Sequence, residues 1–404
     1  MEYKIIAPKG TDIDTLASRR VLPPFAEPVL AFVDAVSARI LKDPRFKQYP
    51  ELMAMAFWMR RGNIVKLKAD FESKRGSRAW LGRGVVFHIA PANVDTIFVY
   101  SWFLSMLVGN INIVRVSSQA DEQLDILLGV INEIARESTH TEVRDRFAIV
   151  RYEHNDEITG YFSSLCHTRV IWGGDETIRK IRAVALGPSA TELVFADKFS
   201  FALVGARGFL DHDNKDRLIE QFYNDSYWFN QKACSSPRMV VWVGEESTVN
   251  DARGVFWSLL ETLAEKKRLG FAPALAINKL IAECSVAIGA KDLVTIERHR
   301  TSLVNRVILQ SAADINRELQ CGGGLFYELR IDSLDRLADI VRDKDQTIVT
   351  CGINRADLAD FVRTTRPAGV SRIVPFGEAL TFSAVWDGYD LLREFCREVD
   401  ITVR

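Results

Sequence analysis

The stretch FNQKACSSPR, residues 229–238, sets a cysteine among polar neighbours. Cys234 is flanked by Asn230, Gln231, Lys232, Ser235 and Ser236, between a predicted helix and a predicted strand. No apolar periodicity explains a cysteine there, and Lys232 and Arg238 are close enough in sequence to favour the thiolate, the nucleophilic form. The competing reading is that lone cysteines are usually small buried hydrophobes, which suits Cys166, Cys284 and Cys396. Three further segments carry candidate chemistry. Pro91-Ala92-Asn93 lies between a strand and a helix, where Asn93 either donates its amide to an oxyanion or caps the helix. Gly173-Gly174 follows TRVIW and opens a helix from Asp175, so backbone there can approach a pyrophosphate, although the full GxGxxG fingerprint is absent. Phe376-Gly377 reads as a turn within IVPFGEAL (373–380), ahead of WDGYDLL (386–392).

These residues need a scaffold, and its pattern is legible. From Pro24 to about Lys74 the sequence is helical, with Leu30, Phe32, Val33, Val36 and Ile40 at helix spacing. From Gly84 strands and helices alternate. GVVFHIA (84–90), INIVRV (111–116), RFAIVRY (146–152), TRVIWGG (168–174), ELVF (192–195) and FALVG (201–205) are predicted strands. Val94 to Leu107 and Asp121 to Arg136 are predicted helices. Alternation at this spacing predicts an α/β fold with a parallel sheet covered on both faces. A second α/β pattern follows, with helices from Asn214 to Phe229, Asn250 to Lys266 and Lys279 to Ile288. Its strands are RMVVWVG (238–244), LVNRVILQ (303–310) and QTIVT (346–350). The expected division is an N-terminal helical segment (1–80) packing on a cofactor-binding domain (81–207), a nucleophile-bearing domain (208–375) and a C-terminal segment (376–404). The main boundary falls near Val204 to Asp211, and the tail is read as strand, helix (Tyr389 to Arg397) and strand (Ile401 to Arg404).

Composition narrows the function classes. The 404 residues are 48% hydrophobic and 26% charged, an ordinary globular composition. With 52 basic against 53 acidic side chains, no cationic surplus exists to neutralise nucleic-acid phosphates. The longest apolar stretch, Ile97 to Val108, is broken by Ser101 and Ser105 and is far short of the roughly 20 residues of a membrane span. The start, MEYKIIAPKG, lacks the apolar core of a signal peptide, so a cytoplasmic location is expected. Six dispersed cysteines and six dispersed histidines, with no CxxC or HExxH, predict no metal site.

Taken in order, the four segments resemble the aldehyde dehydrogenase superfamily, and most closely the LuxC-type acyl-CoA reductases, from about Gly84 to the C-terminus. The resemblance implies two Rossmann-like α/β domains. It makes Asn93 the oxyanion asparagine and Cys234 the nucleophile. GNINIVRVSS is similar to the strand that binds the adenosine ribose, with Arg115 where a lysine is usual, followed by Ser117 and Ser118. VIWGGDETIRKI resembles the turn and helix at the cofactor phosphates, placing Gly173 and Gly174 there. Phe376 and Gly377 resemble the pair bordering the nicotinamide ribose.

Departures from the family pattern carry meaning. Where hydrolytic members hold a water-activating glutamate, this chain has Val194, with Glu192 two residues earlier on the same strand face. Without that base, an acyl thioester on Cys234 is spared hydrolysis and left for reduction. The resemblance thus implies NAD(P)H-dependent reduction of an acyl-CoA, or another acyl thioester, to the aldehyde. NADPH is expected over NADH, because Arg115 can pair with a 2′-phosphate and Ser118 stands where an acidic residue would repel it. Against this, Arg115 can simply snorkel from the sheet edge while Ser117-Ser118 cap the next helix. A homo-oligomer and an acyl-activating or acyl-transfer partner enzyme are also implied. Alternatives are an acyl-phosphate reductase, a hydrolytic aldehyde dehydrogenase using Glu192, or a non-catalytic partner subunit.

Overall fold

The computed structural model describes residues 2–76, 78–90, 97–118, 122–267 and 273–403. The chain divides into two units, Met1–Asp197 with Phe382–Arg404, and Lys198–Thr381. The first unit begins with β1 (Lys4–Ala7), α1 (Ile13–Ala17), α2 (Glu27–Lys42), α3 (Pro50–Trp58) and α4 (Arg61–Arg75). It continues through β2 (Ala79–Gly82), β3 (Val85–Ile89), α5 (Ile97–Leu107), β4 (Ile111–Val116), α6 (Glu122–Ala135) and α7 (Thr141–Arg144). It then runs through β5 (Phe147–Arg151), α8 (Asp156–Leu165), β6 (Thr168–Trp172), α9 (Asp175–Ala183) and β7 (Thr191–Phe195).

Among the described residues, six strands of this unit form a sheet in the order β1-β5-β4-β3-β6-β7. All are parallel except β1, which runs antiparallel to β5. The segments VVFHI and TRVIW are buried along their whole length, as strands covered on both faces must be. The covering helices carry the matching stripes. Leu124, Leu127, Leu128, Ile131 and Ile134 of α6 are buried, as are Phe32, Val33, Val36 and Ile40 of α2. The strand order reverses direction between β3 and β6, and in such sheets ligands bind beyond the carboxyl ends of the strands at that switch.

The second unit contains β8 (Phe199–Gly205), α10 (Ala206–Leu210), α11 (Lys215–Tyr227), β9 (Pro237–Val243), α12 (Glu246–Lys266) and α13 (Pro273–Gly289). It continues with β10 (Thr295–Arg298), β11 (Asn305–Ile308), β12 (Leu325–Ile331), β13 (Asp345–Cys351), α14 (Arg355–Thr365) and β14 (Arg372–Pro375). Among the described residues the sheet order is β10-β11-β12-β9-β8-β13-β14, with only β10 antiparallel. Alternate residues enter two cores. Ala202, Val204, Val240 and Trp242 join one, and Phe201, Leu203, Met239 and Val241 the other.

The chain then re-enters the first unit through β15 (Val385–Trp386), β16 (Tyr389–Asp390), α15 (Leu391–Glu394) and β17 (Cys396–Val399). Asp387 and Gly388, with φ of 50° and 81°, form the two-residue loop of the β15–β16 hairpin. β17 pairs antiparallel with β2, Cys396 opposite Gly82. Arg83 Nε donates to Glu394 O at 2.6 Å and Asn110 Nδ2 to Phe395 O at 2.9 Å, fixing this return.

Several expectations are corrected. The boundary near Val204–Asp211 falls inside the second unit, because β8 is a central strand there; the division is at Asp197/Lys198. The N-terminal segment is not wholly helical, since β1 joins the sheet beside β5. The tail helix spans only Leu391–Glu394, and the last strand is Cys396–Val399, where pairing with β2 takes over from the helical pattern. Cys284 is exposed on α13 rather than buried. Among the described residues, no helix is long and apolar enough to cross a membrane.

Candidate active site

Cys234 sits partly exposed in the turn between α11 and β9, at the amino end of that strand. Both neighbours of β9 hold the turn. From β8, Ser200 Oγ donates to the Cys234 carbonyl at 2.7 Å. From the turn ahead of β12, Gly323 N donates to Asn230 O and Gly324 N to Gln231 Oε1, each at 2.9 Å. The buried Gln231 side chain also donates to Pro237 O at 2.9 Å, closing the loop on itself. These bonds support backbone that is costly alone, for Asn230 and Gln231 adopt φ of 50° and 62°. Close backbone approach explains the glycines. A Cβ on Gly324 would lie 2.0 Å from Leu303 O, and one on Gly322 2.5 Å from Asn230 O.

Lys232 is exposed, and the Arg238 guanidinium points to main-chain carbonyls, Lys232 O at 3.4 Å and Lys198 O at 3.5 Å. The contrast with the buried thiols is sharper. Burial pushes Cys166 and Cys396 up to about 12 and Cys351 up to about 11, so none of these provides thiolate near neutral pH. Cys234 is not enclosed in that way.

Phe376 and Gly377 follow β14 in the same unit. The Phe376 ring is buried against Phe222 of α11, with centroids 5.2 Å apart, so the turn presents its backbone rather than that ring. Gly377 N donates to Asp225 Oδ2 at 2.7 Å and Ala379 N to Asp225 Oδ1 at 3.0 Å.

In the first unit, the carboxyl ends of β4, β3 and β6 lie side by side, with Ile89 opposite both Arg115 and Ile171. Arg115 is partly buried over the Tyr152 ring, 5.5 Å from its centroid, and donates to Tyr152 O at 3.4 Å. Burial lowers its pKa, and proximity to Tyr152 opposes the shift. Ser117 is buried and Ser118 exposed at the strand end. Gly173 N is bonded to Phe195 O at 3.2 Å, whereas Gly174 is exposed at the N-cap of α9 with open space where a Cβ would stand. Asn93 lies outside the described residues.

A buried polar network joins β3 to β6 just before these ends. His88 Nε2 lies 3.0 Å from Asn112 Oδ1, an acceptor, so Nε2 carries the proton and Nδ1 accepts from Ser101 Oγ at 3.1 Å. Trp172 Nε1 donates to the same Ser101 oxygen at 3.2 Å. Burial drives His88 down to about 4, keeping the ring neutral.

Val194 and Glu192 are both partly buried on β7. The Glu192 carboxylate is committed, Oε2 to Arg169 at 2.6 and 3.0 Å and Oε1 to Arg182 at 2.7 Å. That geometry makes Glu192 the shared partner of two arginines.

One unit thus carries a main-chain-braced thiol and the other the adjacent carboxyl ends of β4, β3 and β6, and comparison with known proteins decides the family. The sequence matches acyl-CoA reductase (LuxC) over residues 63–398. The chain belongs to the acyl-CoA reductase (LuxC) family. It is therefore an oxidoreductase acting on aldehydes or acyl-CoA. No curated protein matches it significantly in sequence. In fold it is similar to an NAD-dependent benzaldehyde dehydrogenase from Corynebacterium glutamicum, with TM-score 0.64 and 15% identity over 97% of this chain and 86% of that one. It is also similar to aldehyde dehydrogenase 21 from Physcomitrella patens, with TM-score 0.65 and 11% identity over 98% and 88%. Lactaldehyde dehydrogenase from Escherichia coli gives TM-score 0.60 and 13% identity over 96% and 85%. The fold is that of the aldehyde dehydrogenase superfamily.

In this LuxC-family member, the groups that sequence reading passed over are those bracing the Cys234 turn: Ser200, the main-chain carbonyl of Asp225, and Gly322–Gly324. The glycine run CGGG (321–324) was the available signal, since three consecutive glycines ahead of an apolar run mark close backbone approach.

Proposed function

We propose that this chain reduces an acyl-CoA to the aldehyde with NADPH, through an acyl thioester on Cys234. The observation that carries the proposal is the Cys234 turn, partly exposed and held through main-chain bonds from both adjacent strands. A nicotinamide nucleotide would be held in the first unit by Arg115, Ser117, Ser118, Gly173 and Gly174, a reading supported by the open space beside Gly174. Phe376 and Gly377 would border its ribose. When bound, the cofactor supplies a hydride.

Cys234 Sγ, as thiolate, attacks the thioester carbonyl, and the carbon–sulfur bond to CoA breaks with CoA leaving as its thiolate. Asn93 and the Cys234 amide donate to the oxyanion, a role worth ~3–4 kcal/mol per donor. After reduction of the acyl group, Sγ departs from the tetrahedral carbon as the carbonyl re-forms, releasing aldehyde and restoring thiolate. Val194 stands in the glutamate's place and Glu192 is held by two arginines, which supports reduction over hydrolysis of the thioester.

Intact-protein mass spectrometry tests this. Incubated with a panel of acyl-CoAs without cofactor, the protein should gain one acyl mass, and Cys234→Ala should gain none. A Cys234→Ala variant that is acylated, or that reduces acyl-CoA at the wild-type rate, overturns the proposal.

A further inference from the structure

Asp225 stands where the two loops of the second unit meet. It lies in the last turn of α11, only 1% exposed, and grips both loops with different atoms. Its main-chain carbonyl accepts from Ser236 Oγ at 2.7 Å, two residues beyond Cys234. Its carboxylate accepts from Gly377 N at 2.7 Å and Ala379 N at 3.0 Å. Phe222, three residues earlier on the same helix face, adds the ring contact to Phe376.

A buried carboxylate is an expensive way to hold a turn, because desolvation of charge costs several kcal/mol. Its chemical advantage is specific. A carboxylate accepts two amides and donates nothing, whereas Asn or Gln must direct its amino group at one of them. The structure supplies this group between the nucleophile turn and the turn ascribed above to the nicotinamide ribose.

We propose that Asp225 is a positioning residue, its carboxylate setting the Pro375–Ala379 turn so that reduction depends on it while acyl transfer to Cys234 does not. This rests on the reading of Phe376 and Gly377 as cofactor contacts. The asymmetry follows from the atoms used, since substituting the side chain spares the carbonyl that holds Ser236.

The charged groups acting on this carboxylate are Arg372 of β14, which lowers its proton affinity, and Glu378 of the turn, which raises it. Burial outweighs Arg372 and the two amides and pushes Asp225 up to about 7. Protonation puts an O–H against one of the amide donors and loosens the turn. Reduction should therefore rise with pH through about 7, with acyl transfer lacking that component.

The experiment compares wild type, Asp225→Asn and Glu378→Gln in two assays, cofactor-free acylation by intact mass and steady-state aldehyde formation at varied NADPH from about pH 6 to about pH 8. Asp225→Asn should leave acylation within about twofold, raise the NADPH KM about tenfold, and abolish the rise near pH 7, as loss of a charge-assisted bond implies. Glu378→Gln is exposed and alters no buried contact; it should move the midpoint of the rise to lower pH. Acylation and reduction falling together in Asp225→Asn, or an unchanged NADPH KM and pH profile, overturns the proposal. If Asp225→Asn does not fold, an unmoved Glu378→Gln midpoint overturns it. The acyl-enzyme reading is judged separately, by acylation of Cys234→Ala.

Discussion

The guanidinium of Arg169, itself only 2% exposed, holds Glu192 Oε2 at 2.6 and 3.0 Å across adjacent strands β6 and β7. Removing the carboxylate strands a buried cation, which costs about 3–5 kcal/mol. Glu192→Ala should therefore lower thermal stability markedly. At temperatures where it stays folded, its ratio of free acid to aldehyde from acyl-CoA should match wild type. Acid release that drops selectively would return Glu192 to the role of base.

Arg115 is the residue whose loss should change cofactor choice. Its guanidinium can pair with a 2′-phosphate, a charge-assisted contact worth ~1.5–3 kcal/mol. Arg115→Gln should cut the preference for NADPH over NADH by about tenfold or more. Adding Ser118→Glu should reverse it. Steady-state kinetics with both cofactors at matched acyl-CoA measures this, and unchanged discrimination refutes the assignment.

Gln231 tests the bracing of the nucleophile turn. Gln231→Ala leaves Gly324 N and Pro237 O without their buried partner, at about 1–3 kcal/mol for each group. It also releases a backbone held at positive φ. Cofactor-free acylation of Cys234 should slow about tenfold or more, while intrinsic fluorescence and far-UV dichroism retain the folded signature. Wild-type acylation would mean that the turn needs no such support.

His88 gives the acid limb of stability. Its folded pKa of about 4 lies below the ordinary 6.5, so the unfolded chain binds the proton more readily between those values. Stability is fully present above about pH 6.5 and is lost as pH falls towards 4, by up to about 3 kcal/mol. His88→Asn should be less stable at neutral pH but should lose less between about pH 6.5 and 4.5. Urea unfolding across that range would measure both slopes; parallel slopes contradict the assignment of the acid limb to this ring.

Much of this architecture was legible because the sheet strands are short runs rich in β-branched and apolar residues, bounded by turn residues. VVFHI, INIVRV and TRVIW declare themselves, and α6 carries its apolar stripe at 3.6-residue spacing. β12 was missed because Glu328 and Arg330 break LFYELRI, although Glu328 is buried and accepts from Trp242 Nε1 at 2.9 Å. Cys234 stood out by its polar setting. Ser200, Asp225 and the glycines at 322–324 did not, because each matters only through a neighbour brought close by strand pairing. The exposure of Cys284 was equally illegible, for the sequence of α13 is apolar on more than the face it buries.

The antiparallel pairing of Cys396 with Gly82 has a consequence for biosynthesis. A ribosome delivers β2 well before its partner β17, with all of the second unit emerging between them. The nascent second unit can close while the first still waits with Asn110 Nδ2 and Arg83 Nε lacking the carbonyls of Phe395 and Glu394. Pairing of β2 with β17, a two-stranded sheet apart from the six-stranded one, is thereby completed only after the second unit has been synthesised.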